Sequence, residues 1–212
     1  MSPTLLVVAK APVPGLAKTR IGNERGHDVA ADLAAASLLD TLDTALTVGW
    51  PVTVAMTGDL DEAARRTELR AALARCTVVA QRGDGFAERL VNAHLDSDVG
   101  KGVVQVGMDT PHVTMDDYVA AGRALSRGAN VIGPASDGGW WLLGVREAEQ
   151  AAPLAHIEMS RPDTGQRTIE AIGEPLERLR ELRDLDTWSD AVAVAAELPG
   201  SRLAETVAAA SR

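Results

Sequence analysis

Directly after the apolar run Leu5-Leu6-Val7-Val8, the segment AKAPVPGLAKTR (9–20) gathers Lys10, Lys18 and Arg20 around two prolines and a glycine. Pro12 and Pro14 fix φ and stiffen the segment, and Gly15 permits a close backbone approach. An arginine offers a bidentate fork and a lysine a point charge, the pair that suits a di- or triphosphate. Ala9, Lys10, Gly15, Lys18 and Arg20 are therefore expected to contact a nucleotide, with Lys18 and Arg20 also stabilising charge during catalysis. The glycine spacing matches neither GxGxxG nor a P-loop, so a dinucleotide fold and a P-loop ATPase are both unsupported.

Carboxylates recur where strands are expected to end. In VVQVGMDTP an apolar run gives way to Asp109, followed by Pro111, a placement that suits a divalent cation held against phosphate oxygens. In LRDLDTWSD, Asp184 and Asp186 lie two apart and share one face of an extended segment. Thr187 and Asp190 then read as the start of a helix, with Thr187 as its cap. One of Asp184 and Asp186 is expected to join Asp109 around Mg²⁺ or Mn²⁺. A third grouping, GPASDGGWWLLG, sets Asp137, Gly138 and Gly139 in a tight loop before Trp140 and Trp141. The two indoles alternate across the following strand, one toward an acceptor and one toward the core. Asp137, Gly138, Gly139 and Trp140 are the expected acceptor contacts, and Asp137 the candidate general base. In QRGDGFAERL, Gln81 and Gly83 follow a short strand and Arg89 falls in the next helix. That segment reads equally as a base-recognition loop facing phosphate or ribose and as a plain turn into an amphipathic helix.

Other chemistries lack their residues. His27, His94, His112 and His156 show no i, i+4 pairing, which argues against zinc, and no Gly-x-Ser-x-Gly elbow occurs. Cys76, the single cysteine, sits in an apolar stretch and reads as a small buried hydrophobe. It excludes an intramolecular disulfide and suits a reducing compartment. The net charge of −9 argues against a nucleic-acid surface, which needs a broad cationic stripe. No stretch approaches a membrane span and the opening apolar run is too short for a signal peptide. A cytoplasmic protein is expected; its oligomeric state is not legible.

Positioning these groups falls to short β-branched runs alternating with Ala/Leu-rich segments. Strands are expected at 4–9, 52–56, 77–80, 103–107, 130–133 and through WWLLGV, with a further one at 179–182. Helices are expected at 28–48, 60–75, 87–95, 114–126, 165–172, 188–197 and 203–210, and Thr114 with Asp117 resembles a capping box. This order implies a mostly parallel sheet covered on both faces, with ligands beyond the carboxyl ends of its strands. At 212 residues and 46% hydrophobic, the chain suffices for one domain. A nucleotide-binding half is expected at about 1–107 and an acceptor half at about 108–212.

The segments KAPVPGLAKTR, QRGDGFAERL, GMDTP, SDGGWWLLG and DLDTWSD, in this order, resemble a bacterial family of nucleotide-diphospho-sugar transferase-like proteins. That family is assigned the glycosyltransferase A fold, with some members placed in arsenosugar biosynthesis. More remotely, Lys18-Thr19-Arg20 and Asp184-x-Asp186-Thr187 are similar to elements of guanylyltransferases acting on phospholactate and molybdopterin. The resemblance implies a Rossmann-like α/β fold with a mixed, mostly parallel sheet of about seven strands and a nucleotide bound at the N-terminal half. It also implies a metal on Asp109 and on Asp186 in preference to Asp184. Met159 stands where relatives carry a tryptophan, which implies a different acceptor. The function expected is metal-dependent transfer of a sugar from a nucleoside-diphosphate sugar to a small-molecule acceptor. The alternatives are nucleotidyl transfer from an NTP to a phosphorylated small molecule with release of pyrophosphate, and a nucleotide-binding regulator without turnover.

Overall fold

In the computed structural model, which describes residues 2–212, the opening apolar run becomes β1 (Thr4–Lys10), buried on both faces as far as Ala9. A strand with no polar alternation must lie inside a covered sheet. The remaining strands are β2 (Val52–Thr57), β3 (Thr77–Ala80), β4 (Val103–Gly107), β5 (Asn130–Pro134), β6 (Trp140–Val145) and β7 (Leu176–Arg178). They pair in the order β3-β2-β1-β4-β6-β5-β7. Only β6 runs against its neighbours, so the sheet is mixed and mostly parallel, as the resemblance implies. The chain steps from β1 out to β2 and β3, then returns to place β4 on the other side of β1. The direction of winding thus reverses between β1 and β4, where an open α/β sheet leaves a crevice.

The helices are α1 (Thr19–Arg25), α2 (His27–Thr47), α3 (Arg66–Leu73), α4 (Phe86–Ser97), α5 (Met115–Ser126), α6 (Thr164–Ile172), α7 (Trp188–Glu197) and α8 (Arg202–Ala210), with a 3-10 helix at Ala148–His156. Leu5, Val7, Val54, Val104 and Val106 meet α2, α3 and α5 on one face of the sheet. Leu6, Val8, Val103 and Leu143 meet α4 and the 3-10 helix on the other. Outside α2, a third cluster joins it to α1, α7 and α8 through Ile21, Leu33, Trp188, Val194 and Leu203. Sandwiched between two layers, α2 buries small apolar residues nearly all round. Capping boxes close on Thr114 with Asp117 and on Thr187 with Asp190. No described helix is long and apolar enough to cross a membrane.

Three expectations change. The helix expected at 60–75 begins only at Arg66. Arg65 is left-handed (φ 51°), and its guanidinium is tied to Asp32 at 2.6 Å and to Thr206 at 2.7 Å. The strand expected at 179–182 lies instead at 176–178. Arg180 is diverted, its side chain to Asp117 and its carbonyl to the Trp141 indole N–H, while Leu182 makes only an isolated bridge to Ala135. Cys76 is half-buried, and its thiol lies 3.7 Å from the Ala72 carbonyl. Helix α1 and the 3-10 helix are unanticipated. The former starts immediately after the proline-rich segment and is secured by Ile21 in the outer cluster and by Arg25, whose guanidinium lies 4.4 Å above the Trp188 ring.

His94, on α4, is fully buried and neither ring nitrogen has a hydrogen-bond partner. Burial pushes its pKa down to about 4, against a weaker upward pull from Gln105 and Asp98. Between its ordinary pKa of about 6.5 and about 4, the unfolded chain therefore binds a proton that the native protein refuses. Acidification through that window removes stability. The melting temperature of His94→Leu should fall less than that of the wild type between about pH 7 and about pH 5. Equal falls would show that His94 does not carry the effect.

Candidate active site

The carboxyl ends of β1, β2, β4 and β5, the start of β6 and the segment after β7 all reach one edge of the sheet. A cavity of about 730 Å³ opens there. Of the residues expected to act, Ala9, Lys10, Lys18, Arg20, Gln81, Arg89, Asp109, Asp137, Gly139, Trp140, Asp184 and Asp186 line it. Gly15, Gly83 and Gly138 do not. The role of Gly15 is conformational: its φ is +78°, and a β-carbon there would meet nothing within 4 Å, so no close approach requires a glycine. Gly83 is held beneath Glu88, whose Cγ lies 2.9 Å from where its β-carbon would be. Gly138 lets the loop rest on the backbone of Pro162, and its carbonyl accepts the Gly165 N–H at 2.8 Å. Substitution at Gly138 would drive a methyl into the Pro162 carbonyl.

The centre of the cavity is an ion cluster. Lys18 follows β1 and Asp109 follows β4, and because these strands are neighbours the two side chains meet, Nζ to Oδ2, at 2.9 Å. Asp186, arriving from beyond β7, accepts from the same ammonium at 3.4 Å and from Arg20 at 3.3 Å. The Lys18 side chain is only 8% exposed. Burial pulls its pKa down, but Asp109, Asp186 and Asp184 more than reverse this, so it stays charged above its ordinary value. Lys18 is itself left-handed (φ 47°, ψ 49°) at the entry to α1, a conformation costly for a side chain with a β-carbon and sustained here by the ion pair.

Asp184 has the opposite fate. Burial, then the charges of Asp109 and Asp137, push its carboxyl up to about 7, with Lys18 offsetting part and Asp186 adding a little. Asp109 Oδ1 is buried with no partner. An orphaned hard oxygen beside a carboxyl short of positive charge fits a divalent cation of the Mg²⁺ or Mn²⁺ kind. Among the described residues, no three acidic, histidine or cysteine side chains are arranged as a complete metal cage. The donor set present is one or two carboxylates, which suits a cation that takes its remaining ligands from substrate oxygens.

Several expected roles are altered. Gln81 donates its amide N–H₂ to the Ala9 and Ala55 carbonyls at 2.8 and 2.9 Å, so it clamps β1 to β2. Lys10 turns back to the Leu16 carbonyl at 2.9 Å. Arg89 donates to the Gly83 carbonyl at 3.3 Å. Asp137 Oδ1 accepts the Gly139 N–H at 2.8 Å, which gives this side chain a loop-forming role beside any chemical one. Trp140 and Trp141 do point to opposite faces, and Trp140 is held by its indole N–H to Thr168 at 3.2 Å. Met159, marked by the resemblance, lines the cavity too, and so do residues not singled out in the sequence: Phe86, 52% exposed, Gln105, Thr110, the stretch from Ser160 to Pro162, and Thr164. Gln105 had a legible signal, one polar residue in the strand VVQVG. The others had none.

The family model described as "Uncharacterized protein conserved in bacteria (DUF2064)" matches residues 41–161, more than half of the chain. Among curated proteins, no sequence matches. The chain is similar to a Desulfovibrio desulfuricans G20 protein proposed to be a nucleotide-diphospho-sugar transferase. They share 27% identity and a TM-score of 0.80 over 97% of this chain and 92% of that one. It shares its fold with the 4-diphosphocytidyl-2C-methyl-D-erythritol synthase of Anaerococcus prevotii DSM 20548 (12% identity, TM-score 0.61, 92% and 95% covered). It also shares its fold with Rv0371c of Mycobacterium tuberculosis H37Rv in complex with manganese (19% identity, TM-score 0.52, 91% and 98% covered).

The raised carboxyl of Asp184 has a measurable consequence. Its folded pKa, about 7, lies above its unfolded value of 3.8, so the native protein holds the extra proton and loses stability as pH rises through that interval. Asp184→Asn should therefore raise the melting temperature more at about pH 8 than at about pH 5. An increment independent of pH would mean that the carboxyl is not crowded by its neighbours.

Proposed function

This chain belongs to the bacterial DUF2064 family, and from that premise we propose that it is a transferase that uses a nucleotide-activated substrate, moving a sugar from a nucleoside-diphosphate sugar to a small-molecule acceptor. The observation that carries this reading is the Lys18–Asp109–Asp186 cluster, which opens into the same cavity as Trp140 and Asp137. Phosphates and acceptor would thus meet in one enclosure. Support also comes from the similarity to the D. desulfuricans protein.

In this reading Lys18 and Arg20 hold the diphosphate. Asp109 and Asp184 hold Mg²⁺ or Mn²⁺. Asp184 is preferred to Asp186 because Asp186 is already neutralised by Lys18 and Arg20, whereas Asp184 is not. A manganese complex of a protein with the same fold is consistent with this cofactor class. When bound, the cation supplies charge stabilisation to the departing diphosphate. Trp140 offers an aromatic face to the part of the cavity where sugar and acceptor would meet. The acceptor hydroxyl gives its proton to Asp137 Oδ2, the oxygen left free by the Gly139 N–H, as its oxygen bonds to the anomeric carbon and the bond to the diphosphate breaks. Pro162 and Gly165, seated against Gly138, fix the loop that carries Asp137.

A second reading is nucleotidyl transfer with release of pyrophosphate. It is favoured by Lys18-Thr19-Arg20, which starts a helix beside the ion cluster, and by the fold shared with the diphosphocytidyl synthase. Incubation with Mg²⁺ or Mn²⁺, a panel of nucleotide-sugars and NTPs, and a cell extract as acceptor source separates the readings by mass spectrometry. Release of a nucleoside diphosphate is expected. Pyrophosphate would support the second reading, and binding without turnover would support a regulator. Asp109→Ala should lower turnover by about 100-fold or more while the circular dichroism spectrum is unchanged. Full retained activity would remove Asp109 from the site.

A further inference from the structure

Strand β4 reads VVQVG, and its central residue should not be polar. Gln105 is 3% exposed, flanked on the same face of the sheet by Leu6, Val8 and Leu143. It faces the imidazole of His94 on α4. Gln105 Oε1 and both His94 nitrogens find no partner at full hydrogen-bonding geometry, and the carboxamide is near enough only to pull the imidazole pKa weakly upward. Buried polar groups in a native interior are ordinarily paired, and an exception calls for a cause. The other end of the carboxamide matters here, because Gln105 is among the residues that line the cavity.

What makes Gln105 reachable is the residue two further along. Gly107 points the same way, also lines the cavity, and an added β-carbon would meet only the Asp109 N–H nitrogen, at 3.9 Å. The glycine is not required by its backbone, since its φ is not positive. Its lack of a side chain leaves a way down from the ion cluster to the carboxamide. Val8, Leu90, Trp140 and Thr164 line the same cavity as Gln105 and Gly107. Trp140 is fixed by Thr168, and the Thr164 hydroxyl is already engaged with the Glu158 carbonyl at 3.0 Å. The nearby cations are turned elsewhere, Arg89 to the Gly83 carbonyl and Arg161 outward to Glu158. An indole face and a carboxamide, without a committed charge, suit a neutral ring bearing hydroxyl groups rather than an anion.

We infer that the chamber under Trp140, floored by Gln105 and entered over Gly107, receives the neutral hydroxylated ring of the transferred group, with Gln105 as its specificity-determining residue. The inference rests on the sugar-transfer reading above and deepens it. A hydroxyl of the ring accepts from the Gln105 N–H₂, while the buried Gln105 Oε1 faces neutral His94 and stays out of reach of the cavity.

The test is calorimetric binding, in the presence of Mn²⁺, of UDP, GDP, ADP and CDP and of UDP-glucose, GDP-mannose, ADP-glucose and CDP-glucose. The proteins are wild type, Gln105→Leu and Gly107→Val. Both variants should weaken at least one sugar nucleotide by about 10-fold or more, while the matching diphosphate changes by less than about 2-fold. Gln105→Leu should melt at the same temperature as the wild type or higher, because an unpaired buried carboxamide is removed; a purely structural glutamine would instead be missed. Gly107→Val tests the chamber by filling it and leaves Gln105 in place. Sugar nucleotides that bind the variants as they bind the wild type would overturn the inference and leave the proposed function standing. If none of the diphosphates binds the wild type, the proposed function fails, and the inference with it.

Discussion

The site depends on one buried ammonium. Lys18 lies between Asp109 and Asp186, and no two of the three are close in the sequence. An unpaired ammonium in that position would be costly, and so would a set of carboxylates crowded without a cation. Each therefore requires the others, and the chain must bring the end of β1, the end of β4 and the segment after β7 to one place. The strain of a left-handed lysine at the entry to α1 is tolerated because the cluster fixes it. Asp184 shows what remains when compensation is incomplete: a carboxyl that titrates near neutrality beside an orphaned oxygen of Asp109.

The architecture follows from that requirement. Placing β4 beside β1 puts two strand ends next to each other where the winding reverses, and the single reversed strand β6 brings Trp140 to the same edge. The wall on the far side comes from the segment at 159–165, secured to the Gly138–Gly139 loop by backbone contact alone. That contact is specific to glycine. It makes the loop carrying Asp137 rigid without filling the cavity with side chains. The apolar clusters on the two faces of the sheet then hold the strands in register beneath the site.

Much of this was legible in the sequence, and the limits have physical causes. Strands buried on both faces declare themselves as short apolar runs, so β1, β2, β4, β5 and β6 were readable, as were both Thr–Asp capping boxes. The cations and carboxylates stood out because they follow those runs. What escaped was set by tertiary partners. Arg65 ends its turn on Asp32 and Thr206, and Arg180 abandons the sheet for Asp117; neither partner is near in sequence. Gln81 looked like a ligand contact and serves chiefly as a clamp between strands. Gly15, Gly83 and Gly138 looked alike as loop glycines, but only Gly138 allows the backbone approach that matters to the site. The Met159–Thr164 wall has no periodicity, so its placement depended on the fold.

In the proposed reading, Lys18 turns to the diphosphate when it binds, and the acidic cluster takes up a cation whose remaining ligands are phosphate oxygens. Calorimetric titration of Mn²⁺ into the protein, alone and with UDP, GDP, ADP or CDP, tests it directly. Weak binding alone, strengthened by about 10-fold or more with at least one diphosphate and lost in Asp109→Asn, is the predicted result. Binding of Mn²⁺ that no diphosphate strengthens, or that survives Asp109→Asn, would contradict the account.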